Sequence, residues 1–204
     1  MFHFSLFFRY FTDEINKFYK ILVGSLYLLA LLSSISTIDL LCSYIAFTAS
    51  SEYQVKAVFL YNFTKGFIKW PATSFTTKET PFQICLIGED NFRGILENTV
   101  KDQKAAGGRS VIVSKIDALV TLSGCHILFI STSVESQLSK ILGQAQHYSL
   151  LTVSDIEDFT AQGGMIEFFT LENKIKFAIN SCILEQAGLK ADANLLRIAR
   201  LTRC

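Results

Sequence analysis

Catalytic vocabulary is thin in this chain. Three histidines, His3, His126 and His147, are all that its 204 residues supply. No H-E-x-x-H, G-x-S-x-G or phosphate-cradling G-x-x-x-x-G-K run occurs, so the usual zinc-protease, serine-hydrolase and nucleotide-hydrolase readings have no footing. His126 follows Cys125, but neighbours along a strand point to opposite faces, which excludes a dyad or ligand pair. None of the five cysteines stands in C-x-x-C spacing, so a structural zinc site is not expected. Neither sign of charge dominates. Of 19 basic and 18 acidic residues the first fifty hold three of each, Arg9, Lys17 and Lys20 against Asp13, Glu14 and Asp39, leaving 16 and 15. A nucleic-acid surface needs a clustered basic excess, and none is present. The expectation is a protein that is not an enzyme, with no catalytic residues, metal, cofactor or nucleic-acid partner.

What is present is apolar. Half of the chain is hydrophobic, with 18 Phe. Ile21 to Phe47 is almost wholly apolar; it follows Lys17 and Lys20 and ends at small Thr48, Ala49, Ser50 and Ser51. Positive charge, apolar core and small residues are the three parts of a secretory signal, with cleavage near Ala49 to Ser51. The run also exceeds the roughly 20 residues that span a bilayer, so an uncleaved membrane anchor is the alternative. Leu41 before Cys42 disfavours a lipoprotein signal. The stretch before Lys17 adds nothing a signal needs, which leaves a start downstream of Met1 open. The expected organisation is a leader over 1–50 and one domain over 51–204.

Glu52 to Pro71 reads as one amphipathic helix. Val55, Phe59, Phe63, Phe67 and Trp70 recur at steps of three or four and share one side, while Asn62, Lys65 and Lys69 fall on another. Pro71 disfavours the α region for Trp70 and would stop the helix. At about 2 kcal/mol for each large side chain buried, such a helix draws its stability from the layer it covers. Asn62, Lys65 and Lys69 are either a partner surface or the solvated side.

Beyond it, strands are expected at Phe82–Ile87, Ser110–Val113, His126–Ile130 and Leu150–Val153. Helices are expected at Phe92–Val100, Val134–Ala145 and Ile156–Ala161, with a short helical connection at Asp117–Ser123. Met165–Phe169 and Lys174–Ile179 flank Leu171-Glu172-Asn173 as a hairpin, and Ser181–Ala187 and Asn194–Arg200 close the chain as helix. Alternating strands and helices give an α/β fold, a three-layer open sheet of four mostly parallel strands in the order 2-1-3-4, extended by a C-terminal antiparallel hairpin. Ligands of such sheets sit beyond the strand carboxyl ends, here Gly88-Glu89-Asp90, Ser131-Thr132-Ser133 and Ser154-Asp155. The same residue types are preferred helix caps, so turn-making is the competing reading. An exported enzyme would need Glu89, Asp90 and Asp155 to converge.

EYQVKAVFLYNFTKGFIKWP from Glu52 to Pro71 resembles the opening helix of the YfiR-like family of bacterial periplasmic proteins. ICLIGED from Ile84, CHILFIS from Cys125, LTVSD from Leu151, GGMIEF from Gly163, and IKFAIN followed by AGLKADANLLRIAR agree with it in order, over roughly residues 52 to 200. Family members carry a cysteine in each of the first two strand motifs, so the resemblance implies a bond between Cys85 and Cys125, which the 2-1-3-4 order also makes neighbours; buried free thiols are the alternative. Family members can carry a second disulfide before the hairpin, and both of its cysteines are missing here. The state of Cys182 and Cys204 stays open.

The resemblance further implies a periplasmic, non-enzymatic regulator that represses a membrane-bound diguanylate cyclase of the YfiN type through its periplasmic domain, linking cyclic-di-GMP signalling and biofilm behaviour to the envelope. The alternative is a periplasmic small-molecule-binding module serving another membrane receptor. A homodimer through Leu195, Leu196, Ile198 and Ala199 is a further possibility, since that stripe packs equally well on the sheet.

Overall fold

The computed structural model describes residues 51–116 and 122–202. The expected leader, most of the Asp117–Ser123 connection and Cys204 lie outside the described residues. The first described element, α1, is helical over 51–62. In chain order follow β1 (Ile68–Lys69), β2 (Phe82–Ile87), α2 (Ile95–Val100), β3 (Val111–Ile116), β4 (Ile127–Ile130), α3 (Leu138–Ala145), β5 (Leu151–Ser154), β6 (Ile166–Leu171), β7 (Lys174–Asn180), α4 (Ser181–Gln186), β8 (Lys190–Ala191), α5 (Ala193–Ile198) and β9 (Arg200–Thr202).

Seven of the strands form one sheet in the order β3-β2-β4-β5-β6-β7-β9. The first five pair in parallel, which is the expected 2-1-3-4 order continued into the hairpin, and β7 runs antiparallel to β6. Strands buried on both faces read as unbroken apolar runs, as FQICLI and ILFI do. Their alternation sorts the core into two clusters. Ile84, Leu86, Ile127, Phe129, Leu151 and Val153 face the side covered by Ala57 and Leu60 of α1 and by Phe63 just after it. Cys85, Ile87, Leu128 and Ile130 face Leu138, Ile141 and Ala145 of α3. Helix, sheet and helix make the three layers. At the hairpin tip Glu172 and Asn173 have φ of 51° and 57°, the two positive values that a type I′ turn of two residues requires.

Cys85 and Cys125 are joined in the α3-side core, with a Cα–Cα distance of 5.8 Å. Cys182 is also disulfide-bonded.

Several elements differ from the expected ones. The opening helix stops well before Pro71: a π turn at Phe63–Phe67 contains Gly66 at φ 120°, a value L side chains rarely adopt, and the chain leaves as β1. β1 pairs antiparallel with β8, and Asp192 N–H donates to the Phe67 carbonyl. Lys56, Ala57, Leu60 and Phe63 carry the buried stripe, whereas Val55 is 42% exposed. Phe59 still reaches the core, against Phe168 and Phe177. α2 begins only at Ile95 because Arg93 and Gly94 take positive φ. Thr132–Gln137 is a 3-10 turn ahead of α3, and residues 156–161 form turns instead of a helix, with Asp158 at φ 55°.

The chain's end departs most. The last expected helix is cut at Ile198, and β9 adds to the sheet parallel to β7. Buried Glu167 holds it there, accepting from Arg200 at 3.4 Å while the guanidinium lies 4.1 Å over the Phe169 ring. Leu195 is fully buried and Leu196 and Ala199 pack on the same core, so of the apolar closing stripe only Ile198 is largely exposed, at 58%.

Candidate functional site

Because β2, β4 and β5 are parallel, their carboxyl ends meet at one end of the sheet. Gly88, at φ 93°, lets the chain turn where a Cβ would stand 2.6 Å from Ser133 Oγ and 2.9 Å from Ser131 Cβ. Glu89 N–H donates to Ser133 Oγ (2.8 Å), Ser133 Oγ to Ser131 Oγ (3.1 Å), and Asn91 Nδ2 to the same Ser131 oxygen (3.3 Å). Asp90 accepts from the backbone N–H groups of Phe92 and Arg93. Ser154 Oγ donates to the Ile130 carbonyl at 2.7 Å and accepts from Ile156 N–H at 3.0 Å. Asp90, Ser131, Ser133 and Ser154 are thus engaged in turns and caps, while the side chains of Glu89 and Thr132 face solvent.

Asp155 is different. Its Oδ2 accepts from Tyr53 Oη (2.8 Å) and from Lys56 Nζ (2.6 Å), and Lys56 also pairs with Glu52 at 2.6 Å. The Lys56 side chain is 3% exposed and that of Asp155 10%. Asp155 Oδ1 is buried and has no hydrogen-bond partner among the described residues. Tyr53 packs edge-on against Phe92, with ring centroids 5.1 Å apart. Burial, followed by the neighbouring Asp155 carboxylate, pushes its phenol well above the ordinary tyrosine range. The first turn and a half of α1 therefore roofs the strand ends, held by a buried cation.

Glu52, Tyr53 and Lys56 were absent from the sequence-derived candidates. Their signal was Lys56 itself, four residues before Leu60 and seven before Phe63, a lysine inside the apolar stripe of its own helix. Glu89, Asp90 and Asp155 do not converge: one is solvated, one binds backbone, and one is ion-paired. Nor do Asn62, Lys65 and Lys69 share a helix face, because Lys69 lies on β1; Lys65 is exposed, 5.7 Å over the Tyr61 ring.

At the opposite end of the sheet His126 is buried. Nδ1 accepts from Gln83 N–H (3.1 Å), so the neutral ring carries its proton on Nε2, which meets the Ser74 carbonyl at 3.1 Å. The imidazole stacks on Phe75 at 4.5 Å, and the Arg109 guanidinium lies 4.0 Å from the centre of the Phe75 ring while donating to the Thr77, Lys78 and Thr80 carbonyls. Burial first, then the Arg109 charge, push the His126 pKa below its ordinary 6.5. A depressed histidine pKa makes the native state bind fewer protons than the unfolded one, so stability is full above about 6.5 and falls as pH drops through the folded value. Urea unfolding at pH 7.5 and 5.0 is expected to show a lower midpoint in acid for the native sequence and a smaller drop for His126→Gln. An equal drop in both would assign the acid sensitivity elsewhere.

An open, mainly parallel sheet with helices on both faces defines a doubly wound α/β domain. Within that class the chain belongs to the YfiR/HmsC-like family, whose model matches residues 53–200. No curated protein matches it. Solved structures similar to it include a conserved domain protein from Vibrio cholerae O1 (11% identity, TM-score 0.42, covering 59% of this chain and 54% of that one). Others are an ABC domain in complex with L-Trp from Streptococcus pneumonia (12%, 0.44, 59% and 55%) and a ligand-free, open substrate binding protein with adhesive properties from Clostridium difficile (11%, 0.39, 60% and 54%). The chain spans about half the length of these structures, 54 to 55%.

Proposed function

We propose that the protein is a periplasmic regulator with no catalysis of its own, which represses a membrane-bound diguanylate cyclase by contacting that enzyme's periplasmic domain. Cyclic-di-GMP output, and biofilm behaviour with it, then follows conditions in the envelope. The family match over residues 53–200 carries the reading. The Cys85–Cys125 bond supports it, since structural disulfides belong to oxidising compartments. The engagement of Asp90 with backbone N–H groups and of Asp155 in an ion pair agrees with a role in contact instead of chemistry. An exported leader over residues 1–50 is part of the proposal, with exposed Lys65 and Lys69 on the partner-facing surface. Ligand capture at the strand ends, serving another receptor, is the weaker reading, because Tyr53 and Lys56 occupy the position above Asp155.

The test is capture of membrane proteins by the tagged protein from its own cell envelope, with and without reductant. Recovery of an integral membrane protein containing a diguanylate cyclase domain, diminished on reduction, is the expected result. Capture of no cyclase under either condition overturns the repressor reading and leaves the family assignment untouched.

A further inference from the structure

Ser154, the last residue of β5, pairs with Glu167, and β6 runs on beyond that pair to Leu171. The extra length carries the β6–β7 hairpin roughly 13 Å past the end of β5, at about 3.3 Å for each residue, as an arm. Residues 170–174 at its tip are all exposed, and Leu171 is 53% exposed. The two faces of the arm differ. On one, Ile175 packs against the α1-side core. On the other, Phe169 stands opposite Lys176 and Leu171 opposite Lys174, so cross-strand pairing sets two apolar side chains beside two cations. Phe169 belongs to neither core cluster and carries the Arg200 guanidinium over its ring. Lys174 and Lys176 are exposed and pair with no carboxylate among the described residues, whereas Arg200 leans on Glu167. Beyond the strand ends Glu172, at the turn, is the arm's only acid.

The chain enters the domain at this same end of the sheet. Tyr53 and Lys56 bind Asp155, just past β5, so α1 begins over the strand ends from which the arm projects. The apolar run Ile21 to Phe47 stops shortly before Ser51, so the end of the domain nearest that run along the chain is the end that carries the arm. We propose that the β6–β7 arm is a membrane-docking element: it lays Leu171 and Phe169 on a bilayer that contains anionic phospholipid, with Lys174 and Lys176 against the phosphates. Long cationic side chains beside apolar ones suit an interface that is apolar below and anionic above. Neither ammonium is held in place by an ion pair, and a spread of lipid phosphates, unlike a fixed set of partner carboxylates, asks for no exact position. The arm's role needs a membrane beside the protein but not the cyclase.

The test replaces Leu171 with the photocrosslinking residue p-benzoylphenylalanine in the full-length protein, expressed in bacterial cells. The same replacement is made separately at Ile112, which is 44% exposed and pairs with Gln83 at the amino ends of the parallel strands. After irradiation, mass spectrometry is expected to find a phospholipid adduct at the Leu171 site several-fold above that at the Ile112 site. Lys174→Gln combined with Lys176→Gln is expected to cut the Leu171-site lipid adduct about fivefold or more, since each lysine beside an anionic surface changes partitioning by about that factor. Equal lipid adducts at the two sites, or none at the Leu171 site, overturn the proposal. A Leu171-site adduct that is mainly protein assigns the arm to a protein partner and overturns it as well. A lipid adduct indifferent to both lysine substitutions overturns the role given to the charges. Lipid faces both sides of the inner membrane, so the crosslink is scored whatever cell fractionation says of export, and cyclase capture bears on none of these outcomes.

Discussion

Cys85→Ala is expected to lower unfolding stability by about 4 kcal/mol, the chain-entropy value for a loop of roughly 40 residues. The bond spans a sequence separation of 40 and sits in the α3-side core, where Cys85 is 0% and Cys125 8% exposed. The loop it closes contains β3 and α2, so the denatured chain regains the freedom of an entire edge strand and its covering helix once the bond is lost. Urea denaturation of the native protein and of Cys85→Ala, both without reductant so that the bond of Cys182 stays intact, should show that difference. An unshifted midpoint in the variant would show that the Cys85–Cys125 bond contributes nothing.

Lys56→Met should cost a comparable amount, about 3–5 kcal/mol, the range found when one partner of a buried ion pair is removed. The variant keeps the apolar stem and removes the charge, leaving the Asp155 carboxylate with only the Tyr53 hydroxyl as a partner. Lys56→Met combined with Asp155→Leu is expected to recover most of the loss, because two apolar groups of similar volume often replace a buried pair at little net cost. The double-mutant cycle isolates that coupling. A loss below about 1 kcal/mol in the single variant would mean that the pair behaves as a solvated one.

Sheet order was legible in the sequence because each parallel strand is buried on both faces and is followed by turn residues that cannot continue it. The Cys85–Cys125 pair followed from that order and from the family resemblance. The ends of helices were less legible. Gly66 ends α1 through a backbone angle, which leaves the apolar periodicity of Phe63, Phe67 and Trp70 intact and misleading. β9 was hidden for another reason: RLT has no strand signal of its own, and it is placed by pairing with β7 and by the contact of Arg200 with Glu167, 33 residues earlier. At the candidate site, Asp155 was legible as a strand-end carboxylate, but its partners lie about a hundred residues upstream on a helix read for its apolar face alone.

The Lys56–Asp155 pair also imposes an order of events. The two residues are 99 positions apart, so at about 5–20 residues per second of synthesis the helix exists for roughly 5–20 s before its anion does. During that interval the lysine has no anion at the strand ends to meet. The contact is one of high sequence separation, the kind that slows folding. A lysine in the stripe keeps the waiting helix more soluble than an apolar residue there, and on docking the same charge becomes the pin that fixes its register on the sheet.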